Sequence, residues 1–155
     1  MDLNGKVVVI TGGAQGLGRA MALRLAPKKP HIALIDMNED SLAEAKALIE
    51  RAGATVSTWV CNVAKEEEVD VVFAQIAAQT GRLDAVVNNA GITRDSMLLT
   101  VKDGVVENRM SVEHWQQVVD VNLTGTFLCG RAFLVVVFGP WFCSLFLVVV
   151  FGRCF

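Results

Sequence analysis

The chain has 155 residues, about one domain's worth, with 14 Lys and Arg against 16 Asp and Glu and a formal net charge of -2. That length is enough to bury a sizeable core, and the absence of a basic stripe argues against a nucleic-acid partner. Four widely spaced cysteines without a CxxC pair argue against a metal site or a disulfide framework, and no secretory leader pattern precedes the first predicted strand, so a cytoplasmic protein is expected.

Short apolar strands alternate with helix-forming segments through most of the chain. Strands are predicted at Lys6–Ile10, His31–Asp36, Val56–Cys61 and Leu83–Asn88. Helices are predicted at Leu17–Ala26, between a cap at Asn38 and Gly53, at Lys65–Thr80 with a stop at Gly81, and, after the long loop Gly91–Met110, from Val112 with Ser111 as its cap. This alternation predicts an α/β fold, a Rossmann-like doubly wound parallel sheet that is truncated after about four strands.

The turn after the first strand reads TGGAQGLG and opens the first helix. Gly12 allows a sharp turn, Gly16 lets backbone N–H groups approach a pyrophosphate, and Gly18 lets helix and strand pack closely. An ordinary glycine-rich turn has the same composition, so the context after a strand carries the prediction of a dinucleotide site. The candidate cofactor residues of this turn are Gly12, Gln15, Gly16, Leu17 and Gly18.

Asp36 ends the second strand, near the roughly 20-residue spacing at which an acid accepts hydrogen bonds from the adenosine ribose. A carboxylate there repels a 2′-phosphate. No basic residue follows at Met37 or Asn38, and Gln15 stands before Gly16. The cofactor is therefore predicted to be NAD(H), with NADP(H) disfavoured. The alternative is that Asp36 only caps the following helix.

Several motifs follow one another in order: the TGxxxGxG turn, Asp36, the NNAG tetrad Asn88–Gly91, and VNLTG at Val121–Gly125. Together they make residues 1–133 resemble the short-chain dehydrogenase/reductase family, in particular its 3-oxoacyl-carrier-protein reductases and related alcohol dehydrogenase-like members. The resemblance implies an NAD(P)(H)-dependent oxidoreductase that transfers a hydride between a carbonyl and an alcohol.

The resemblance also assigns roles to residues outside the glycine turn. Asn89, Ala90 and Gly91 would line the cofactor's ribose. Asn62–Val63 stands where the family has Asp-Val beside the adenine, and the Asn62 oxygen can still accept from the adenine amino group. Asn122 matches the helix asparagine that orients the active-site lysine through a water.

The family's catalytic serine, tyrosine and lysine have no counterparts in this sequence. The chain contains no tyrosine. Its last lysine, Lys102, precedes Asn122, and the only later serine is Ser144 in the apolar tail. Neither His31 nor His114 is expected to replace the missing proton donor. We therefore expect no dehydrogenase activity, with Asn122 as the remnant of the catalytic set.

The last part of the chain has a different composition, and we divide the chain into a NAD(P)-binding Rossmann-like half-domain, 1–133, and an apolar repeat tail of non-family sequence, 134–155. The heptapeptide FLVVVFG occurs at Phe133–Gly139 and again at Phe146–Gly152. A frameshift or rearrangement product, a membrane helix over Ala132–Gly152, and a β-hairpin all remain open. In the hairpin reading, Leu134–Phe138 or Leu147–Phe151 pairs with the exposed edge of the fourth strand.

The partner predictions follow from these two parts. A nicotinamide dinucleotide is the expected ligand, self-association through the tail is expected, and insertion into a membrane is kept as an alternative that the tail's Pro140 and glycines disfavour. The alternative function is a non-catalytic NAD-binding or membrane-tethered module.

Overall fold

The computed structural model describes residues 2–94 and 97–138, together with the backbone of residues 147–150. In chain order, the strands are β1 (Val7–Thr11), β2 (His31–Asp36), β3 (Thr55–Val60), β4 (Ala85–Asn88), β5 (Leu99–Lys102), β6 (Val105–Arg109) and β7 (Leu147–Val150). The α-helices are α1 (Gly16–Leu25), α2 (Glu39–Arg51), α3 (Glu66–Thr80), α4 (Val112–Val119) and α5 (Gly125–Phe138).

The main sheet is parallel throughout and has the strand order β3-β2-β1-β4-β7. Because side chains alternate along a strand, β1 supplies both cores. Val7 and Val9 face the core under α3 and α5, whereas Val8 and Ile10 face the core under α1 and α2. The predicted Rossmann-like fold with helices on both faces is confirmed.

The predicted helix ends agree with the structure where capping chemistry fixed them. The Asn38 side chain accepts from the Ser41 amide at 2.9 Å and caps α2, and Ser111 accepts from the His114 amide at 3.1 Å and caps α4. Gly81 ends α3 with a left-handed φ of 74°. Each of these stops or starts relies on a side chain or backbone freedom visible in the sequence.

The segment predicted as a loop, Gly91–Met110, instead contains the antiparallel hairpin β5–β6. Its turn residues Asp103 and Gly104 both have positive φ, 50° and 76°. Asp-Gly between two β-branched runs is a strong hairpin signal, and the prediction missed it. The hairpin is largely exposed.

The described residues of the two FLVVVFG copies adopt different structures. The described residues of the first copy, up to Phe138, continue α5 without a break, because Phe133 is fully buried against the sheet. In the second copy, Leu147–Val150 forms β7 and pairs with β4, Ala85 opposite Leu147 and Asn88 opposite Val150. A hairpin between the two runs is therefore wrong, whereas one of the two pairings considered for the β4 edge is present.

A single membrane helix over Ala132–Gly152 is also not what the structure has, because its described residues divide between α5 and β7. Within the described chain, the continuous helical segment Val112–Phe138 is long and apolar enough to cross a membrane, by length and composition alone. Leu128, Cys129 and Phe133 on this segment are buried in the protein core. The segments 139–146 and 151–155, including Cys143 and Ser144, lie outside the described residues.

Candidate functional site

A cavity of about 440 Å³ opens at the carboxyl ends of β1, β2, β3 and β4. Ligands of open parallel sheets bind at this edge, and the volume lies in the range of small-molecule sites. Every predicted cofactor residue except Gly18 lines it. The lining residues are Gly12, Gln15, Gly16, Leu17, Ile35, Asp36, Met37, Cys61, Asn62, Val63, Asn89, Ala90, Gly91, Ile92 and Val121.

The glycine turn leaves no room for side chains where it approaches the rest of the site. A Cβ on Gly12 would lie 2.9 Å from the Ala90 Cα atom, and one on Gly18 would lie 2.1 Å from the Gly12 carbonyl oxygen. Gly12 and Gly16 also have left-handed φ values of 62° and 53°. The turn delivers the N-terminus of α1, which starts at Gly16, to the cavity, where its backbone N–H groups favour an anion.

Asp36 is held by backbone groups on both of its oxygens. Oδ2 accepts from the Ala14 amide at 3.1 Å and Oδ1 accepts from the Asn38 amide at 3.2 Å. The N-cap of α2 is Asn38, so the alternative of Asp36 as the helix cap is wrong. Asp36 instead ties the end of β2 to the glycine turn, with its carboxylate at the cavity.

Thr11 joins the glycine turn to the end of β4. Its Oγ1 accepts from the backbone amides of Asn89 and Ala90, both at 3.0 Å, and donates to the Val87 carbonyl at 3.4 Å. The Asn89 side chain donates back to the carbonyls of Thr11 and Gly12, each at 3.1 Å. These hydrogen bonds hold the segment Asn89–Gly91, which is predicted to line the ribose, against β1. The sequence did not predict that Thr11 has this role.

Asn62 lies in a tight turn between β3 and α3. Its Oδ1 accepts from the Ala64 amide at 3.0 Å, so one of the lone pairs predicted to face adenine is already used. The backbone amide of Asn62 donates to Glu68 Oε2 at 2.8 Å, and Glu68 Oε1 forms an ion pair with Lys65 Nζ at 2.9 Å. The hydrogen bond from the Asn62 amide, followed by that from Lys65, lowers the pKa of Glu68 and keeps it ionised.

Asn122 lies in a π-helical turn, Asp120–Thr124, between α4 and α5. Its Oδ1 accepts from the Ile92 amide at 2.8 Å, and its Nδ2 donates to the Ile92 carbonyl at 3.0 Å. Asn122 does not line the cavity itself. It holds in place the segment after Gly91 that does, and Ile92 could not be found from sequence because only its backbone takes part.

Among the other described titratable groups, the Cys61 thiol lines the cavity and neither histidine does. Burial raises the pKa of Cys61 to about 11 and that of Cys129 to about 12, so both thiols stay protonated at neutral pH. His31 starts β2 at the opposite end of the sheet and is hydrogen-bonded to Ser57. His114 is exposed on α4. Among the described residues, His, Cys, Asp and Glu form no group of three that could hold a metal ion.

Comparison with known proteins shows the family to which the chain is similar. A family model described as short chain dehydrogenase matches residues 6–137. The chain is 34% identical over 130 residues to a 2,5-dichloro-2,5-cyclohexadiene-1,4-diol dehydrogenase of Sphingobium indicum, covering 84% of this chain and 48% of that protein. It is 37% identical over 132 residues to a 3-oxoacyl-(acyl-carrier-protein) reductase of Synechocystis sp., covering 84% of this chain and 49% of the relative.

Solved structures agree. The chain superposes on NAD+-bound xylitol dehydrogenase with a TM-score of 0.73 and 32% identity, covering 85% of this chain and 48% of that one. The chain thus spans about half the length of the curated relatives it matches. The resemblance inferred from the ordered motifs is confirmed.

Proposed function

Because the chain belongs to the short-chain dehydrogenase/reductase family of oxidoreductases, we propose that its cavity binds NAD(H). The observation that carries the proposal is the convergence of the glycine turn, Asp36, Asn62 and the Asn89–Gly91 segment on one cavity at the sheet's carboxyl edge. Gly16 fits a dinucleotide, because it lines the cavity at the start of α1 and nothing lies within 4 Å of its Cβ position, so a pyrophosphate can approach its backbone.

In this proposal each part of the cavity takes one part of the ligand. The N-terminus of α1 faces the pyrophosphate, Asp36 accepts from the adenosine ribose hydroxyls, Asn62 and Val63 lie beside the adenine, and Asn89–Gly91 borders the nicotinamide ribose. NAD(H) is preferred over NADP(H) because the Asp36 carboxylate repels a 2′-phosphate and neither Met37 nor Asn38 offsets that charge. The NAD+-bound state of xylitol dehydrogenase supports the same choice.

The cofactor proposal is tested by titrating the chain with NADH and NADPH and measuring nicotinamide fluorescence. We expect NADH to bind more tightly, and Asp36→Asn to narrow the difference by about tenfold, since a charge repulsion of about 1.4 kcal/mol is removed. Asp40→Asn is the matched control, because Asp40 is exposed in the first turn of α2. Equal affinities for both nucleotides in the unchanged chain would refute the preference.

We further propose that the 155-residue chain by itself transfers no hydride. The family's reaction needs a general acid/base, whose loss alone costs roughly 10²–10⁴ in rate. The chain has no tyrosine, and its last lysine, Lys102, precedes Asn122. Asn122 then serves only to hold the Ile92 backbone. NAD(H)-dependent turnover of a ketone or alcohol by the purified chain would contradict this proposal.

The same proposal places the chain in the cytoplasm, as a dinucleotide-binding unit at residues 1–133 followed by an apolar tail that promotes self-association. Exposed apolar side chains support association: Val135, near the start of the tail, is 65% exposed, and Val112 and Leu123 on the helical segment before the tail are 80% and 68% exposed. A monodisperse monomer in dilute buffer would count against self-association.

A membrane-tethered module is the second candidate function, supported by the apolar segment Val112–Phe138. It requires the chain to float with lipid vesicles in a density gradient.

A further inference from the structure

We infer that Glu68 is a positioning residue for the adenosine half of the dinucleotide, acting through the backbone of Asn62. The inference rests on the proposed nucleotide site and adds a residue that does not line the cavity. Its basis is the hydrogen bond of 2.8 Å from the Asn62 amide to Glu68 Oε2, which joins the first turn of α3 to the cavity wall.

The segment that Glu68 holds is short and lies next to Asp36. Cys61, Asn62 and Val63 all line the cavity, and the Cys61 amide donates to the Asp36 carbonyl at 3.0 Å. Beyond Asn62, its carbonyl accepts from the Lys65 amide at 2.9 Å. The Asn62 amide is therefore the one backbone group of this residue that depends on a side chain, and that side chain is Glu68.

The charge on Glu68 is balanced where it lies. Its second oxygen, Oε1, pairs with Lys65 Nζ at 2.9 Å, so the carboxylate presents no uncompensated negative charge to a phosphate-containing ligand. A hydrogen bond to a charged acceptor is stronger than a neutral one. Fixing the Asn62 backbone also fixes its carboxamide, whose oxygen already accepts from the Ala64 amide.

Glu68 is not needed to hold α3 on the sheet. Val69, Val72, Phe73 and Ile76 carry that packing, and all four are buried. The Glu68 side chain is 40% exposed. Removal of the Glu68 side chain is therefore expected to leave α3 in place and to loosen only the segment 61–63. A purely structural role of Glu68 would instead predict that its removal destabilises α3.

The test measures the binding of two halves of the cofactor, AMP and nicotinamide mononucleotide, by calorimetry to the full chain and its variants. For Glu68→Ala we expect AMP to bind about tenfold more weakly, the effect of losing one hydrogen bond to a charged group. Nicotinamide mononucleotide is expected to bind as before. Glu68→Gln keeps an oxygen for the Asn62 amide and is expected to restore AMP affinity to within about twofold, as surface charge changes are small.

Glu67→Ala is the matched control. It removes the same charge from the neighbouring residue in the first turn of α3, whose side chain makes no described hydrogen bond. Unchanged AMP affinity in Glu68→Ala, or an equal loss for both ligands, overturns the inference while leaving the nucleotide site standing. If Glu68→Ala does not fold, Glu68→Leu takes its place, because it keeps a side chain of similar size but offers the Asn62 backbone amide no acceptor: it must bind AMP about tenfold more weakly, whereas Glu68→Gln must not. Failure of the unchanged chain to bind AMP overturns the proposed nucleotide site and the inference with it.

Discussion

Both the packing of the fold and the geometry of the proposed site require that residue 18 has no side chain. Its missing side chain allows α1 to lie against the Gly12 backbone, and an added Cβ would lie 2.1 Å from the Gly12 carbonyl oxygen. A backbone carbonyl cannot move aside as the end of a flexible side chain can. The whole turn would have to shift, carrying the N-terminus of α1 away from the cavity.

We therefore expect Gly18→Ala to lower the free energy of unfolding by about 1–3 kcal/mol, the usual cost of overpacking. NADH binding should weaken in parallel. Urea denaturation followed by circular dichroism measures the first effect and fluorescence titration the second. Gly130→Ala on α5 is the control: a Cβ there meets nothing within 4 Å, and replacing a helical glycine should stabilise by about 0.5–1 kcal/mol. Equal stability of Gly18→Ala and the unchanged chain would show that the turn adapts.

Asp84 ties the start of β1 to the segment before β4, away from the cavity. Its Oδ2 accepts from the Val7 amide and from Arg82 Nε, both at 2.8 Å, and Lys6 Nζ lies 3.4 Å from Oδ1. Burial acts to raise the pKa of Asp84, but the hydrogen bonds from Arg82 and Val7 outweigh it and lower the pKa below its ordinary value. The ionised form is thus favoured by folding.

The sign of the pH effect follows from that lowered pKa. Asp84 contributes its full stability above the unfolded-state pKa of about 3.9, and loses it as pH falls from there through the folded-state pKa. We expect Asp84→Asn to unfold at a lower urea concentration than the unchanged chain at pH 7. As the pH is lowered below about 4, the urea midpoint of Asp84→Asn should fall less steeply than that of the unchanged chain. Glu50→Gln is the matched control, because it removes one carboxylate from an exposed ion pair with Lys46. An unaltered acid limb in Asp84→Asn would contradict the assignment.

At the scale of the elements, the sequence could predict what local chemistry fixes. β2 has the predicted bounds, His31–Asp36, because an apolar run stands between Pro30 and the capping residue Asn38. The cavity residues were predictable because glycine, aspartate and asparagine at strand ends meet at one edge of a parallel sheet. The role of Thr11 was not, because its hydrogen bonds join segments that are far apart in the sequence. The role of Glu68 was not either, because its partner is a backbone amide, which has no signature in the sequence.

The turn of the hairpin β5–β6 is determined by a local sequence signal, the dipeptide Asp103–Gly104. With φ of 50° at Asp103 and 76° at Gly104, its turn needs residues that tolerate left-handed backbone. Gly104→Val should destabilise the turn by roughly 1–2 kcal/mol. Amide exchange of β5 and β6 is expected to accelerate with no change in the global melting temperature. Asp103→Asn, which tolerates the same φ, is the control, and unchanged exchange in Gly104→Val would refute the turn assignment.

At the scale of the whole molecule, the sequence LVVV is helical at residues 134–137 and extended at residues 147–150. Phe133 and Ala132 are buried under the sheet, and this packing favours helix for the first copy. The second copy pairs with β4 along Ala85–Asn88, a strand whose edge would otherwise expose unpaired backbone groups. Tertiary context therefore decides between two structures for the same sequence, which no local propensity could have predicted.

This pairing gives a prediction about assembly. In a parallel ladder, adjacent N–H groups of a strand point to opposite sides, so Val148→Pro/Val149→Pro removes whichever amide of β7 faces β4. With β4 uncovered, we expect larger assemblies at the same concentration in sedimentation velocity, because an open apolar edge recruits strands from other chains. Val148→Thr/Val149→Thr keeps both amides and β-branching and should sediment like the unchanged chain. If the proline variant sediments no faster than the threonine variant, β7 does not protect this edge.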